Sequence, residues 1–132
     1  MRVADMVRSF GELEVFRRAY GLSLEVHRAS LKFPRAEQMA LAGQARRASK
    51  SICANIAEGF GKQLHSKAEF RRYLLIAPGS ANEMLVWARY SLDLGYIEPE
   101  QFECWHGEYD RLARMLNALI GKLAKPPSNS NS

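Results

Sequence analysis

Residues 51–59 read Ser51-Ile52-Cys53-Ala54-Asn55-Ile56-Ala57-Glu58-Gly59. This stretch is small and apolar, yet it contains one amide and one carboxylate. A plain core helix would have Leu or Ile in place of Asn55, and an Asn at a helix seam lowers stability but fixes register or assembly state. The stretch therefore predicts specified helix packing, with Asn55, Glu58 and Gly59 as the packing and register residues.

The helix that contains this stretch is predicted to run from about Arg35 to Glu58. Its apolar positions recur at intervals of four and three residues, as on one face of an α-helix. These positions are Leu41, Ala45, Ala48, Ile52 and, at the seam, Asn55. Because many of the apolar residues of this helix are Ala, neighbouring helices can approach it closely. Gly59 is predicted to cap its C-terminus, since glycine is the residue most often found there.

A first helix is predicted upstream of this one. It would begin at Ser9, which forms a capping box with Glu12, and end at Phe33, because the residue before a proline resists the helical conformation. Its predicted inner stripe is Val15, Ala19, Leu22, Val26, Ala29 and Phe33, widened by Phe16, Tyr20 and Leu24.

Two further helices are predicted downstream. Ser66 and Glu69 form a second capping box, and the apolar pattern then continues in phase through Pro78 as far as Gly95. This continuity predicts one helix kinked at Pro78, not two separate helices. The fourth helix begins near Pro99. Its stripe is the cleanest in the chain: Phe102, Trp105, Tyr109, Leu112, Leu116, Leu119 and Leu123.

Four amphipathic helices joined by short connections predict an all-α fold. The expected architecture is an antiparallel up-down-up-down four-helix bundle, with the third helix kinked at Pro78. Residues 1–8 are predicted to be an N-terminal extension and residues 9–125 the bundle. Residues 126–132, which contain only Pro, Ser and Asn, are predicted to be a disordered tail.

The composition is typical of a globular cytoplasmic protein. The 132 residues are 47% hydrophobic, which suffices for one domain with a core. No apolar run is long enough to cross a membrane, and the N-terminus lacks the apolar region of a secretory signal. Cys53 and Cys104 lie far apart with no C-x-x-C motif, which favours free thiols in a reducing compartment over a single disulfide.

Charge is distributed unevenly along the chain, whose formal net charge is +5. The segment 46–72, called the basic segment below, has seven Lys or Arg residues and two Glu residues. The segment 93–110, called the acidic segment, has six Asp or Glu residues and no Lys or Arg. A basic region attracts nucleic acid, and a basic region together with an acidic one can also pair between copies of the same chain.

The sequence contains no catalytic motif. It has no G-x-S-x-G, P-loop or dinucleotide fingerprint, and no Cys/His cluster. Glu103 and His106 form a single Glu-x-x-His pair of the kind found in bundle di-iron sites, but no second pair exists and Trp105 takes the inward position. We therefore expect a protein that is not an enzyme and has no cofactor. An enzyme with a metal in the bundle core is the disfavoured alternative.

The basic segment is the strongest chemical feature. Its cations lie four residues apart on two predicted helices and in the loop between them, so they could straddle phosphates, and arginine adds bidentate contacts. The alternative of equal weight is a solvated face, partly paired with Glu58, Glu69 or another subunit. The candidate nucleic-acid-binding residues are Arg46, Arg47, Lys50, Lys62, Lys67, Arg71 and Arg72.

Asn55 and Glu58 have a structural and a functional interpretation. In the favoured structural one, Asn55 hydrogen-bonds across the bundle and Glu58 pairs with a nearby Arg. In the functional one, both residues would line a site, for which the sequence offers no catalytic companion.

Several short motifs resemble those of the four-helix-bundle proteins encoded in 23S rRNA intervening sequences. The resemblance covers roughly residues 9–123, and the accessory variability determinant of diversity-generating retroelements looks like a relative. Its motifs are Ser9-Phe10 with Leu13-Glu14-Val15-Phe16, Phe33-Pro34, Gln44-Ala45-Arg46-Arg47-Ala48, Ser51-Ile52 with Ala54-Asn55-Ile56-Ala57-Glu58-Gly59, Ala77 with Gly79-Ser80 and Glu83, and Leu94-Gly95-Tyr96-Ile97.

The resemblance implies a homopentamer of four-helix bundles with a basic surface. In the retroelement relatives it implies binding to nucleic acid, RNA or DNA, and to a partner reverse transcriptase. This chain departs from the family pattern at Phe16 in place of a usual Trp and at Cys53 in place of a usual Pro. Pro78 stands where a basic residue is common, which removes one charge from the implied binding surface.

Two functional hypotheses follow from the sequence. The first is a non-enzymatic, oligomeric protein that binds nucleic acid or assists a reverse transcriptase through its basic surface, without a membrane partner. The second is a structural or protein-interaction module in which the basic segment meets the acidic segment of the next subunit, with no nucleic-acid role.

Overall fold

The structure is a computed structural model that describes residues 13–63 and 65–124. These residues form five α-helices and one 3-10 turn, and they include no strand. The helices are α1 (Glu14–Ser30), α2 (Leu41–Lys62), α3 (Lys67–Leu74), α4 (Ile76–Asp93) and α5 (Pro99–Ala124), with the 3-10 turn at Arg35–Glu37 between α1 and α2. The predicted all-α fold class is confirmed.

The helices pack as a four-helix bundle whose third member is α3 followed by α4. Helix α2 packs against α1 on one side and against α3 and α4 on the other. Helix α5 closes the bundle by packing against α4, α3 and α1. The up-down-up-down order of helix directions stays a prediction, and so does the division of the chain into extension, bundle and tail.

The core lies along the inner stripe of α5. Trp105, Tyr109, Leu112 and Leu116 are almost fully buried there, and each such side chain contributes roughly 1.5–3 kcal/mol through burial. After Leu116 the next buried residue of this stripe is Ile120 instead of the predicted Leu119. The reason is that the 3.6-residue period of a helix departs from a strict 4-3 spacing over several turns. The Nε1 of Trp105 and the hydroxyl of Tyr109 have no hydrogen-bond partner within the described residues, and burial raises the pKa of Tyr109.

Helix α2 differs from its prediction at both ends. It begins at Leu41 instead of Arg35, because Ala40 has a non-helical backbone (φ −113°, ψ −108°). It also continues to Lys62, so the predicted end at Glu58 and the predicted cap at Gly59 are wrong. The buried stripe passes from Ile52 to Ile56, which leaves Asn55 half-buried at the edge of the seam.

Gly59 lies inside α2 at its closest approach to α3. It is buried, and a Cβ atom built there would lie 3.0 Å from both Cδ1 and the carbonyl oxygen of Phe70, and 3.1 Å from Cβ of Tyr73. Real Cβ atoms rarely come so close to backbone atoms, so the absence of a side chain at Gly59 is what lets the two helices touch.

The other predicted helix ends have mixed outcomes. The Ser66 hydroxyl accepts a hydrogen bond from the Glu69 amide at 2.9 Å, Gly95 has φ +79° after α4, and Pro99 is the first residue of α5, all as predicted. Helix α1 begins at Glu14 after an extended Leu13. The predicted start at Ser9, with its capping box to Glu12, lies outside the described residues.

The third member of the bundle is interrupted at Leu75, between α3 and α4. Leu75 keeps a helical backbone (φ −63°, ψ −20°). The interruption lies three residues before Pro78, whose missing N–H cannot bond to the carbonyl of Leu74. The kink at Pro78 itself stays a prediction.

Both cysteines are free thiols, as the sequence favoured. Cys53 is half-buried on α2, and Cys104 is exposed on α5. Burial raises the pKa of each thiol above its ordinary value.

Candidate nucleic-acid interface

The seven predicted cations form two groups, one in the first half of α2 and one at its junction with α3. Lys50 and Lys62 are twelve residues apart, which corresponds to about 18 Å along the axis and about 120° around it. We call the first group, on α2, the helix cations: Arg46, Arg47 and Lys50. We call the second group, at the end of α2 and on α3, the junction cations: Lys62, Lys67, Arg71 and Arg72.

Arg46 holds the connection between α1 and α2. Its guanidinium donates to Ser30 Oγ at 2.8 Å, to Gln38 Oε1 at 3.2 Å and to the Gln38 carbonyl at 2.8 Å. Gln38 in turn donates to the carbonyls of Ser30 and Phe33, at 2.9 and 3.0 Å. Arg46 is therefore engaged in the fold, but all of its partners among the described residues are neutral, so none of these contacts compensates its charge.

Lys50 lies beside a histidine of the neighbouring helix. Its Nζ is 3.1 Å from Nδ1 of His27, which is half-buried on α1. The positive charge of Lys50 lowers the pKa of His27, with smaller contributions from burial, Arg46 and Arg28. The imidazole is therefore neutral at pH 7, and its Nδ1 accepts a hydrogen bond from the ammonium group.

Three of the predicted cations are exposed and have no carboxylate partner within the described residues: Arg47, Lys50 and Lys67. Within the part of the chain that the structure describes, Arg47 donates to the amide oxygen of Gln44 alone. These side chains can exchange water for phosphate oxygens without first breaking an ion pair.

The remaining junction cations are already occupied or partly buried. Arg72 pairs with Glu69 at 3.0 Å and lies over the ring of Tyr73, 4.8 Å from its centroid. Lys62 lies 3.9 Å from Glu58. Arg71 is half-buried, and its Nε has no hydrogen-bond partner in the described chain. Fewer junction cations are therefore available to phosphate than the sequence predicted.

The contacts of Asn55 and Glu58 differ from the favoured interpretation. Asn55 donates within its own helix, to the carbonyl of Ser51 at 2.9 Å and to its hydroxyl at 3.2 Å, instead of across the bundle. The crossing contact is a hydroxyl pair, Ser80 to Ser51 at 3.1 Å, which the sequence analysis missed. Glu58 pairs with Lys62 and not with an Arg, because the two are four residues apart on one helix.

The acidic segment is partly neutralised within the molecule. Asp93 pairs with Arg89, Glu108 with Arg18 and Asp110 with Arg114. Glu98, Glu100 and Glu103 are exposed without such partners in the described chain. His106 is also exposed, and the described residues contain no group of three His, Cys, Asp or Glu side chains suited to a metal ion.

An exposed apolar surface was missed by the sequence analysis. Ile76, Val86, Tyr90 and Leu94, called the α4 outer face below, are each between 49% and 54% exposed. They lie within an arc of about 80° on the helix. A cavity of about 480 Å³ borders this face, lined by Leu85, Val86, Arg89, Tyr90 and Asp93. Helix α4 is apolar on both sides, and that is the signal by which its outer face could have been found.

None of the helices within residues 13–63 and 65–124 combines the length and the apolar character needed to cross a bilayer.

Comparisons with known proteins identify a family and similar solved structures. A family model described as 23S rRNA-intervening sequence protein matches residues 11–118. The chain is also similar to the crystal structure of a protein with unknown function from the S23 ribosomal protein family of Bacteroides thetaiotaomicron. That similarity has a TM-score of 0.70 and 28% sequence identity, over 81% of this chain and 95% of the other. The comparison with curated proteins found no match.

Proposed function

The chain belongs to the 23S rRNA-intervening sequence protein family, and from this premise we propose that it is a non-enzymatic, self-associating protein that binds nucleic acid. The observation that carries the proposal is that Arg47, Lys50 and Lys67 are exposed cations without carboxylate partners in the described chain. Such cations release counterions from a phosphate backbone when they bind it, which is the main source of affinity for nucleic acid.

The uncompensated charge of Arg46 adds to the positive field around Lys50 without making contact itself. Arg72 can contribute as well, because its ion pair with Glu69 is exposed and such pairs exchange readily with other anions. The proposed interface therefore runs along α2 to the start of α3, with Lys50 and Lys67 as its strongest members.

Self-association is proposed on the α4 outer face. Exposed aliphatic and aromatic side chains in one stripe are typical of protein–protein interfaces. Among oligomers, the homopentamer is the form that the motif resemblance favours, and the same resemblance favours an accessory role to a reverse transcriptase where one accompanies the chain.

The salt dependence of binding tests the nucleic-acid proposal. We expect the logarithm of the association constant for duplex and structured RNA to fall linearly with the logarithm of salt concentration. The triple variant R47Q/K50Q/K67Q should flatten this slope by roughly two to three units. The matched control is K32Q/R35Q/R111Q, which removes the same charge from exposed positions elsewhere. Equal losses in the two variants, or no binding by the wild type, would contradict the proposal.

A second candidate function is a protein-interaction module without a nucleic-acid role. It is favoured by the exposed carboxylates of Glu98, Glu100 and Glu103, which have no ion-pair partner among the described residues and could meet the cations of a second copy. Light scattering separates the two candidates. A mass that falls as salt rises supports pairing between charges, whereas a salt-independent mass that falls in V86D/Y90D supports assembly through the α4 outer face.

A further inference from the structure

A groove lies between α1 and α2, on the side of the bundle that carries Lys50. Its volume is about 340 Å³, near the lower end of the range for small-molecule sites. We call it the α1/α2 groove, and it is lined by Tyr20, Ser23, Leu24, His27, Lys50 and Cys53. Only Lys50 among these residues was a candidate from the sequence.

One end of the groove is electropositive. Lys50 is exposed, and its polar partner within the described residues is a neutral imidazole, on which the charges of Arg46 and Arg28 also act. None of the three cations forms an ion pair within the described chain. The carboxylate nearest to His27 in sequence is that of Glu25. Burial and, to a smaller extent, the charge of this carboxylate raise the pKa values of Cys104 and Tyr109, which lie on α5.

The histidine at this end holds the ammonium group of Lys50 in place. Because Nδ1 of His27 accepts from Lys50, the proton of the neutral ring is on Nε2. The Nε2–H points away from Lys50, so the ammonium group, held in place by Nδ1, is the donor that a phosphate group would meet at this end of the groove.

The other end of the groove carries an aromatic platform. Tyr20 is 51% exposed, and its ring is stacked on that of Phe16, with centroids 5.9 Å apart and planes 12° apart. Phe16 is half-buried against the core and so holds Tyr20 from below. An exposed ring fixed in this way offers a face on which a nucleobase can stack.

The floor between the two ends is uncharged. Leu24 is apolar, and the hydroxyl of Ser23 donates to the Tyr20 carbonyl at 2.7 Å. Burial raises the pKa of the Cys53 thiol, against a smaller opposing effect of a hydrogen bond with Ser23, so the thiol stays neutral. A neutral, partly apolar floor between a ring and a cation fits a base with its sugar better than a second phosphate.

We propose that the α1/α2 groove binds one nucleotide, as an unpaired unit of a single-stranded nucleic acid, with its base stacked on Tyr20 and its phosphate against Lys50. This inference rests on the proposed function and deepens it, since it names single strands as the substrate and a specific groove as the site. A duplex cannot offer a base to Tyr20 because its bases are stacked within the helix.

The direct probe is adenosine 5′-monophosphate, titrated into the isotopically labelled full chain and followed by NMR. We expect amide shifts confined to residues 20–27 and 50–53, and their loss in Y20A and K50Q. An acidic peptide of the same charge should leave these amides unmoved. Equal shifts with that peptide, or no shifts with the nucleotide, would overturn the inference.

The second experiment measures the affinity of a labelled single-stranded oligoribonucleotide by fluorescence anisotropy. Y20A should weaken binding roughly 5- to 100-fold, the range expected for the loss of one base–aromatic stack, and leave duplex affinity unchanged. Y20F is the matched control because it keeps the ring, and it should bind like the wild type. Tyr20 is exposed, so unchanged melting temperatures will show that both variants fold.

The outcomes separate this inference from the proposed function. If the wild type binds RNA but Y20A and Y20F bind it equally well, the groove is not the site and the proposed function stands. If the mononucleotide binds in the groove but no polymer binds, the proposed function fails and the assignment of single strands as the substrate fails with it, while nucleotide recognition by the groove stands.

Discussion

The cations in the first half of α2 and those at its junction with α3 have different kinds of partner. In the first half, Arg46 and Lys50 face neutral partners, namely a hydroxyl, an amide and an imidazole. At the junction with α3, Lys62 and Arg72 face carboxylates. A count of basic residues gives three helix cations and four junction cations, but at the junction Lys67 alone is exposed without a carboxylate partner in the described chain. The partner of a cation, more than its presence in the sequence, decides whether it is available to a phosphate.

The largest effect is expected from Arg46→Met, in the first half of α2. It leaves Ser30 and Gln38 without their guanidinium partner and should lower the free energy of unfolding by about 2–4 kcal/mol. Chemical denaturation measures this value. Arg47→Met, one residue along and exposed, is the control and should change little. Equal losses in the two variants would show that Arg46 does not hold the connection.

The next effect is expected at the other end of the helix. Gly59→Ala places a Cβ atom 3.0 Å from the carbonyl oxygen of Phe70 and should cost about 1–3 kcal/mol, because backbone atoms cannot move aside as side chains do. Gly61→Ala is a matched control on the same helix, with no atom within 4 Å of the added methyl group. It should be neutral or stabilise by up to about 1 kcal/mol. Thermal melts that rank the two variants the other way would refute the close approach of α2 and α3.

A smaller effect concerns His27, whose pKa lies below the ordinary value of 6.5. Lys50→Gln should raise this pKa, since Lys50 is the largest cause of the lowering, whereas Arg47→Gln should leave it in place. Because the unfolded chain binds a proton more readily than the folded one, His27 favours folding above about pH 6.5 and this contribution is lost as the pH falls. NMR titration of the imidazole measures both pKa values.

The smallest effect is expected at the junction. Arg72→Ala should raise the pKa of Glu69, which its partner holds below the ordinary value of 4.5 through a hydrogen bond and charge. A carboxylate with a lowered pKa contributes stability above its unfolded pKa and loses it as the pH falls through the folded value. Because the pair is exposed, the melting temperature at pH 7 should hardly change. A large drop in the melting temperature at pH 7 would mean that the pair of Arg72 and Glu69 stabilises the fold as strongly as the contacts of Arg46 do.

Much of the fold followed from local patterns. The stripe of α5, the cap at Ser66, the turn at Gly95 and the start at Pro99 each depend on residues a few positions apart. The start of α2 was wrong because the break at Ala40 leaves no mark in an Ala-rich sequence. The family, too, was predicted correctly from its short motifs.

The site could be predicted only in part. The seven cations were visible, but the partners of Arg46 lie eight and sixteen residues away and follow no helical spacing. Tyr20 was assigned to the inner face because it continues an apolar pattern, yet its ring is exposed beside Phe16. Gly59 was interpreted as a cap because glycine usually ends helices, and only the tertiary contact with Phe70 shows otherwise.

The two thiols give the molecule a built-in pair of spectroscopic handles. Cys104 is exposed on α5, so at mildly alkaline pH a maleimide dye or spin label should attach there first. Half-buried Cys53 lies in the wall of the groove, where its slower alkylation would report on whatever fills that space. Distances between labels on Cys104 in neighbouring copies would then count and arrange the subunits of an assembly without any engineered cysteine.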